Sequence, residues 1–535
     1  MPEFADRTFD HLKMPQNMLS SAFDRRKFLI AASTVLGTAP LNTARADSPT
    51  ILLRTGKQDL YRIRMEVEMK GSVNIPGHPL VPGHPLVSGD KVLKLPIDSQ
   101  ASFEYEERLH LPAITKARKP KGSVTKPVND ERRHLAAERY YHRATADSTL
   151  NEKPHSVRLR DSVRDTIVRH DLRPEQIYGV EDFFQRDELE LLHAPVSSIA
   201  IDQLLPESPI RLGSKYTISA DSMASVLNLT AVMACEVKAE IMSVSDEDVK
   251  IQLRGTVDGA IDGVPTIIRT IGKLTFDRKL ASCTWLAIAI HETREIGRAE
   301  PGFDVTATIN MLRKPLKATI ALPVVARKID LGEPASTNRN YVSLSSEKLG
   351  FHVLMSRQWR MMRDQSKAVM MRMVDNDRSI GQCDIQPITQ LVDDQPWSLT
   401  AFESNVQVLL GEQFVEMVES DERVTASGTK ILRAVADGSA EGVPIRWVMM
   451  HLSDESGKQL VATFTMEGNN IDAFGSSDMQ FAGSIRFEEP DTNNEPIKKP
   501  DQTTLSSNYQ GSVQHDDKTK TKHVADSISN ANTVR

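Results

Sequence analysis

Five segments of alternating apolar and polar residues follow one another between residues 235 and 312. A period of two is typical of strands that bury one face, and the joining segments are short and polar. The Asp262-Gly263 pair favours a two-residue hairpin, because both central positions of a type I′ turn need a positive φ. The sequence therefore predicts an antiparallel meander of five strands: Cys235 to Val244, Val249 to Ile261, Val264 to Phe276, Cys283 to Ile296 and Phe303 to Leu312.

Two further strands are predicted upstream, from Tyr61 to Lys70 and from Ala101 to Leu111. With the meander they imply a large antiparallel sheet, either curved or rolled into an open barrel, with helices against one face. Short helices are expected from Asp187 to His193 and from Ser222 to Leu229. Because a curved sheet can enclose an apolar groove, a carrier of an apolar ligand or lipid is one functional alternative.

Two histidines lie in a tandem repeat, PGHPLV, that covers residues 76 to 87. Two prolines per repeat prevent a regular ladder, so an extended surface loop is expected. His78 and His84 could share a metal ion, but the repeats hold no carboxylate or thiolate to complete a ligand set. The loop interpretation is therefore favoured, and no metal site is predicted.

One locally basic stretch covers residues 116 to 143. On an exported protein such a stretch can hold an anionic lipid or wall polymer, but solvated connectors are commoner and a connector is predicted. Its basic residues are Lys116, Arg118, Lys119, Lys121, Lys126, Arg132, Arg133, Arg139 and Arg143.

The strongest candidates for acid–base chemistry are His291, Glu292 and Glu295. On a strand His291 and Glu295 would share a face while Glu292 points away, which is a poor arrangement for catalysis. No stretch carries a specific catalytic, metal or nucleotide motif. The sequence therefore predicts no catalytic residue and no cofactor, and an enzyme of unknown type is kept only as an alternative.

The chain has three cysteines and a net charge of −6. The odd count allows at most one internal disulfide, and Cys235 with Cys283 is the preferred pair because both fall in the same predicted sheet. Buried thiols are the favoured interpretation. The acidic balance gives no electrostatic basis for binding nucleic acid.

A second region of strands begins near Tyr341, after a linker at residues 315–340 that prolines and a polar stretch interrupt. A helix is predicted from Ser398, which can cap it, with apolar residues at helical spacing. The methionines and tryptophans of this region are interpreted as core residues rather than soft-metal ligands. The predicted strands are Phe351 to Met355, Arg360 to Arg363, Ala368 to Val374, Ile380 to Pro387, Lys430 to Ala436, Val443 to Leu452 and Gln459 to Met466.

Leu349-Gly350-Phe351-His352-Val353, the following Trp359, and the order of meander, helix, three strands and a final Phe481 to Phe487 segment resemble the PsbP/DcrB-like group. The resemblance covers residues 341 to 488 and implies a small α/β/α sandwich with a central antiparallel sheet. The chain departs from the group at Ser356-Arg357-Gln358, where a proline often precedes the tryptophan. Members are typically accessory or partner-binding proteins without a shared catalytic centre, and the fold cannot choose a ligand.

The β-rich region that precedes the linker also carries a resemblance. Leu204-Leu205-Pro206, Leu212-Gly213-Ser214 and the segment from Gly272 to Asp277 are similar to uncharacterised exported bacterial β-rich domains. This resemblance implies no activity.

An export signal is predicted near the N-terminus. Arg25 and Arg26 are followed by Phe28, Leu29 and a short apolar run, and Ala44-Arg45-Ala46 before Asp47 forms a small-x-small cleavage site. The pattern resembles a twin-arginine signal, and the run is shorter than the roughly 20 apolar residues that span a bilayer. The alternative is a buried N-terminal helix of a cytosolic protein.

These patterns predict five parts: a signal peptide at 1–46, a β-rich domain at 47–314, the linker at 315–340, a PsbP/DcrB-like domain at 341–488, and a disordered polar tail at 489–535. The export machinery is one expected partner, and no membrane span is expected in the mature chain. The predicted function is that of an exported, non-enzymatic accessory or binding protein of the bacterial periplasm or cell envelope. Its partner would be an unknown envelope protein or an apolar ligand.

Overall fold

The computed structural model describes residues 50–76, 92–110, 135–329, 331, 337–388 and 397–487. Antiparallel strands make up most of the described structure, in agreement with a sheet-rich α+β class. The strands form sheets of thirteen, three and seven members, and none of these sheets closes on itself within the described ranges. The predicted signal peptide, the histidine repeat from Gly77 onward and the polar tail lie outside those ranges.

The thirteen-stranded sheet contains all the described strands before residue 316. Its order is β6-β5-β3-β2-β1-β13-β12-β11-β10-β9-β7, with β4 on β3 and β8 on β10. The strands are β1 (Leu60–Pro76), β2 (Val92–His110), β3 (Ala136–Leu150), β4 (Lys153–Arg158), β5 (Asp165–Arg169), β6 (Gln176–Gly179), β7 (Lys215–Thr217), β8 (Ala231–Cys235), β9 (Lys238–Val244), β10 (Asp248–Ile261), β11 (Val264–Asp277), β12 (Ser282–Arg294) and β13 (Gly302–Pro315).

The predicted meander is confirmed, with one difference. Strands β10 to β13 pair in sequence order, and the segment predicted as one strand from Cys235 to Val244 is divided into β8 and β9. Asp262 and Gly263 have φ angles of 48° and 84°, so both central residues of the β10–β11 turn have the positive φ of a type I′ turn.

Helices cover one face of this sheet. Helix α1 (Arg186–Leu192), helix α2 (Ala220–Val226) and a 3₁₀ turn (Ile201–Leu204) share a single apolar core with the inward residues of the strands. A capping box at Gln185 and Glu188 starts α1, and the Ser219 side chain accepts the Ser222 N–H to start α2.

One expectation is wrong in this region. The basic stretch was interpreted as a solvated connector up to residue 143, but β3 begins at Ala136 and Arg139 is buried. Glu107 on the neighbouring strand β2 accepts a hydrogen bond from Arg139 Nε at 2.9 Å, and this buried carboxylate balances the charge. An ion pair between strands is invisible to a count of local charge.

The remaining strands form two smaller sheets. Their orders are β14-β15-β23 and β16-β17-β18-β22-β21-β20-β19. The strands are β14 (Tyr341–Ser346), β15 (Phe351–Ser356), β16 (Trp359–Gln365), β17 (Ala368–Asp375), β18 (Arg378–Pro387), β19 (Phe414–Val424), β20 (Lys430–Ala440), β21 (Val443–Ser453), β22 (Gln459–Glu467) and β23 (Arg486–Phe487). The helices are α3 (Leu399–Leu410), α4 (Ile471–Phe474) and α5 (Ser477–Ser484).

The seven-stranded sheet is covered on both faces. Ile431 and Val435 belong to a core shared with α5 and the three-stranded sheet, whereas Leu432 and Ala434 belong to a core shared with α3. This alternation along β20 places the seven-stranded sheet between two apolar cores. Trp359, Met371 and Met450 are fully buried, in agreement with the core interpretation of the tryptophans and methionines.

Candidate functional site

The acid–base candidates of the meander do not converge. His291 Nε2 lies 3.0 Å from Asp304 Oδ1 on the neighbouring strand, while Glu292 bonds to Arg294 at 2.7 Å. Glu295 follows the end of β12 and is exposed. The spacing of residues in the sequence does not indicate Asp304, because it is the pairing of β12 with β13 that brings it to His291.

Metal ligands are not gathered either. Within the described ranges, no group of three or more His, Cys, Asp or Glu side chains is placed to hold a metal ion. Cys283 and Cys383 are buried, Cys235 is half-buried, and all three are thiols rather than disulfide partners. His78, His84 and the export residues Arg25, Arg26, Phe28, Leu29, Ala44, Ala46 and Asp47 lie outside the described residues.

A buried polar network lies between the first sheet and its helices. The Glu107 carboxylate accepts from Arg139 and from Ser198 Oγ at 2.6 Å, and Ser198 Oγ in turn accepts from the Tyr105 hydroxyl at 2.9 Å. Burial is the main reason that the pKa of Tyr105 is raised far above its usual value, so this hydroxyl stays protonated. The network is closed to solvent and has the character of a structural element.

Glu175 lies beside this network and bonds to His170 Nδ1 at 2.7 Å and to Ser197 Oγ at 3.2 Å. Burial alone would raise the pKa of Glu175, but the His170 hydrogen bond and the charges of His170 and Arg139 outweigh it and lower the pKa to about 2. The carboxylate stands between the histidine and the serine, so the imidazole is not placed to take the serine proton. This is not a nucleophile–base pair.

The adjoining cavity is small. It lies among Met65, Phe103, Tyr141, Leu192 and Asn228 and has a volume of about 10 Å³. That is room for about one water molecule. The buried Oδ1 of Asn228, which has no hydrogen-bond partner among the described protein atoms, could accept a hydrogen bond from such a water.

A larger cleft opens between the β6–α1 segment and the β14–β15 hairpin. Its volume is about 280 Å³, close to the lower end of the roughly 300 to 1,000 Å³ that small-molecule sites occupy. Its lining residues are Gly179, Val180, Glu181, Asp182, Phe183, Phe184, Arg339, Tyr341 and Arg357. This cleft is the candidate functional site.

Strand pairing explains how the hairpin presents its residues to the cleft. Tyr341 pairs with Ser356 at the last rung of the β14–β15 ladder, so Asn340 and Arg357 continue from it at the open end. The Ser343 N–H donates to the Phe184 carbonyl at 2.8 Å, which fixes the hairpin against the opposite wall. Two segments that are more than 150 residues apart in the sequence therefore share one site.

Arg357 is held by backbone contacts. One of its Nη atoms donates to the Ile177 carbonyl, and its own carbonyl accepts from Arg186 Nη1 at 2.8 Å. Its Nε is buried and has no hydrogen-bond partner among the described residues. Burial, and after it the charge of Arg186, lowers the pKa of Arg357 to about 10.

The rest of the lining combines a second arginine with aromatic rings. Arg339 Nη1 donates to the carbonyls of Gly179 at 3.3 Å and Val180 at 2.9 Å. The rings of Phe183 and Tyr341 are 6.3 Å apart between centroids and tilted by 32°. This spacing is too short for a third ring to enter between them, so a ligand ring would pack against the pair from the cleft.

The acidic residues of the lining do not neutralise these arginines. Asp182 accepts from Ser162 Oγ at 2.8 Å and from Arg160 Nη1 at 3.5 Å. Glu181 is exposed to solvent. The inner part of the cleft therefore carries a positive charge that water screens incompletely.

Solved structures similar to parts of this chain include a PsbP protein. That protein, cyanobacterial PsbP (CyanoP) from Synechocystis sp. PCC 6803, is 13% identical over 29% of this chain and 98% of its own, with a TM-score of 0.24. A Bacteroides thetaiotaomicron VPI-5482 crystal structure is 9% identical over 28% of this chain and 48% of its own, with a TM-score of 0.20. Lipovitellin, in a structure titled for lipid–protein interactions, is 7% identical over 56% of this chain and 30% of its own, with a TM-score of 0.27.

These similarities are too low to support an argument about function. The chain spans about half of the Bacteroides structure and under a third of lipovitellin. No protein-family model and no curated protein matches the sequence. Within the described ranges, no helix is both long enough and apolar enough to cross a membrane.

Proposed function

We propose that this chain is an exported, non-enzymatic binding protein of the periplasm or cell envelope, and that its ligand binds in the cleft between the β6–α1 segment and the β14–β15 hairpin. The observation that carries the proposal is the cleft itself, with its volume of about 280 Å³ and an arginine whose buried Nε has no partner among the described residues. Convergent polar groups beside aromatic rings in a concave site are the usual signature of small-molecule binding.

A binding role is favoured over an enzyme because the described candidates for acid–base chemistry are separated. His291 bonds to Asp304 on the sheet, and the His170–Glu175–Ser197 group is enclosed with the carboxylate in the middle. Neither group lines the cleft. The arginines and rings of the cleft can hold and orient a ligand but include no nucleophile with a base beside it.

The small volume of the cavity inside the first sheet makes a carrier of an apolar ligand the less favoured alternative. Helices α1 and α2 fill the inner face, and the cavity beside them holds about 10 Å³. An acyl chain or other apolar ligand needs many times that space.

Native mass spectrometry of the processed protein from its own envelope fraction tests the proposal. We expect a native mass above the denatured mass, with the difference lost in an Arg357→Gln variant. An Arg278→Gln variant is the matched control, since Arg278 Nη1 also donates to a backbone carbonyl, that of Ser245, far from the cleft. Equal native and denatured masses of a single wild-type protomer would count against a tightly bound ligand and so against the proposal.

A further inference from the structure

The most deeply buried arginines of the described chain each face a carboxylate. The pairs are Arg108 with Glu138, Arg139 with Glu107, Arg169 with Asp171, Arg313 with Asp202 and Arg433 with Asp478. This is the expected pattern, because an uncompensated charge away from water is costly. The half-buried Arg357 differs, since its side chain donates to the backbone carbonyl of Ile177 and the charge that acts on it is that of another arginine, Arg186.

The unsatisfied atom of Arg357 has a defined chemistry. Nε–H is one of the two parallel donors that a guanidinium offers to a carboxylate or phosphate, and it is buried without an acceptor. A bound anion would supply the missing negative charge, and it would supply that acceptor once the side chain turns to uncover Nε. A neutral ligand could supply only the acceptor.

The aromatic side of the cleft restricts the other end of the ligand. Phe183 and Tyr341 are half-buried and Phe184 is buried, so the lining offers ring surface next to the arginines. Ring faces pack favourably against a planar or apolar group. The volume of about 280 Å³ suits a ligand built on one ring rather than a lipid chain.

We infer that the cleft recognises a small organic anion in which a carboxylate or phosphate accepts a hydrogen bond from Arg357 and an attached ring packs against Phe183 and Tyr341. This inference rests on the proposed binding function and adds the class of ligand. Arg339, at the outer edge, adds a second positive charge that attracts the anion. Its guanidinium remains tied to the Gly179 and Val180 carbonyls.

Isothermal titration of the processed protein with matched probes tests the ligand class. The probes are benzoate, its neutral analogue benzamide, acetate and phenyl phosphate. We expect an anion with a ring, benzoate or phenyl phosphate, to bind at least tenfold more tightly than benzamide and acetate. The tighter-binding of the two identifies the anionic group, since a guanidinium can donate to either.

Variants assign the contacts. Arg357→Lys keeps the charge but removes the planar pair of donors, so we expect about a tenfold loss of affinity for the ring anion and none for benzamide. Tyr341→Leu should weaken the ring anions and leave acetate unchanged. Arg357 also holds the Ile177 carbonyl, so its substitution could disturb the structure. Arg339→Gln, at an exposed position, is therefore a second test, and a several-fold loss of affinity for the ring anions is expected. Arg278→Gln should bind like the wild type, and the melting temperature of each variant is compared with that of this control.

The outcomes separate the two proposals. The anion inference would be overturned if benzamide bound as tightly as benzoate, or if Arg357→Lys and Arg339→Gln both bound the ring anions as tightly as the wild type. Either result would leave the binding function standing. If a ligand co-purifies but the protein binds none of the four probes, the anion inference is likewise overturned and the binding function stands. If no probe binds and no ligand co-purifies, both proposals fail.

Discussion

Arg139 shows how strongly a single buried charge depends on its partner. Its side chain and that of Glu107 are both buried, and the two are joined at 2.9 Å. Removing one member of such a pair leaves the other uncompensated, which typically costs about 3 to 5 kcal/mol. We therefore expect Arg139→Met to lower the free energy of unfolding by about that amount in urea titrations.

Arg143, four residues along the same strand, is the matched control for Arg139. It is exposed and lies 3.6 Å from Glu66, itself partly exposed. Surface pairs of this kind contribute about 0 to 1 kcal/mol, so Arg143→Met should leave stability nearly unchanged. Equal losses in the two variants would show that the Arg139 pair is not the source of the stabilisation.

Glu175 gives the protein a predictable response to acid. Its pKa falls from 4.5 to about 2 on folding, because the hydrogen bond and charges around it outweigh its burial. A carboxyl with a lowered folded pKa stabilises the fold above its unfolded pKa, and this contribution is lost as the pH falls from about 4.5 towards 2. The shift corresponds to roughly 3 kcal/mol at neutral pH.

The Glu175→Gln variant measures this contribution directly. Glutamine cannot ionise, so the wild type should be more stable than the variant at pH 6 and the difference should shrink as the pH falls below 4.5. Urea unfolding of both proteins at pH 6, 5, 4 and 3.5 gives the comparison. A stability difference that stays constant over this range would contradict the assigned pKa.

At the scale of single elements, the β10–β11 turn depends on one glycine. Gly263 has a φ of 84°, and an added Cβ would lie 3.1 Å from the Asn376 carbonyl oxygen. The left-handed conformation costs an alanine roughly 1 to 2 kcal/mol, and the close contact adds to this. Gly263→Ala should therefore lower the melting temperature by several degrees.

A second glycine provides the comparison for the turn. Gly483 lies in α5, and a Cβ there would meet nothing within 4 Å. Alanine is a better helix former than glycine, so Gly483→Ala should keep or raise the melting temperature. If Gly263→Ala were equally harmless, the positive φ of the turn would not be the constraint described above.

Elements with regular local patterns were the predictable part of this fold. The alternation in β10 to β13 and the Ser398 cap of α3, which accepts the Ala401 N–H at 3.2 Å, are properties of neighbouring residues. Strand β19 was not predicted, because it is the edge of its sheet and exposes Val415, Val418 and Val424 among charged residues. Its pattern therefore lacks the buried face on which the prediction of a strand depends.

The candidate site could not be predicted in the same way. Arg357 stands in Ser356-Arg357-Gln358, which in the sequence is only a departure from a family pattern, and its cleft partner Phe183 is 174 positions earlier. Their proximity follows from the docking of the β14–β15 hairpin on the β6–α1 segment. No local period in the sequence encodes that docking.

At the scale of the whole molecule, Asp377 connects the second group of sheets to the first. Its carboxylate accepts the backbone N–H groups of Arg298 and Ala299, both at 2.8 Å, and of Glu300 at 3.2 Å. Hydrogen bonds to a charged group contribute about 1.5 to 3 kcal/mol. Asp377→Asn keeps the shape but loses the charge, and should lower the free energy of unfolding by about 1 to 3 kcal/mol.

Substitution of the neighbouring Asp375 tests whether the stabilisation comes from an aspartate in this turn or from the hydrogen bonds of Asp377 to residues 298–300. Asp375 lies at the end of β17 in the same turn, and its side chain accepts a hydrogen bond from Asn376 at 3.4 Å. Asp375→Asn should therefore change stability by less than about 0.5 kcal/mol. Equal effects of the two substitutions would mean that the contacts to residues 298–300 do not stabilise the whole molecule.

The proposed export concerns the whole molecule. Strand β1 pairs with β13, so Tyr61 meets Pro315 and the first sheet is incomplete until both have been synthesised. Such long-range pairing is slow to form, and a route that carries already folded proteins suits it. If Arg25 and Arg26 direct this route, replacing both with lysine should leave unprocessed precursor in the cytoplasm, seen by immunoblot of cell fractions. Arg7→Lys, outside the pair, should be processed like the wild type, and normal processing of the double variant would refute the twin-arginine assignment.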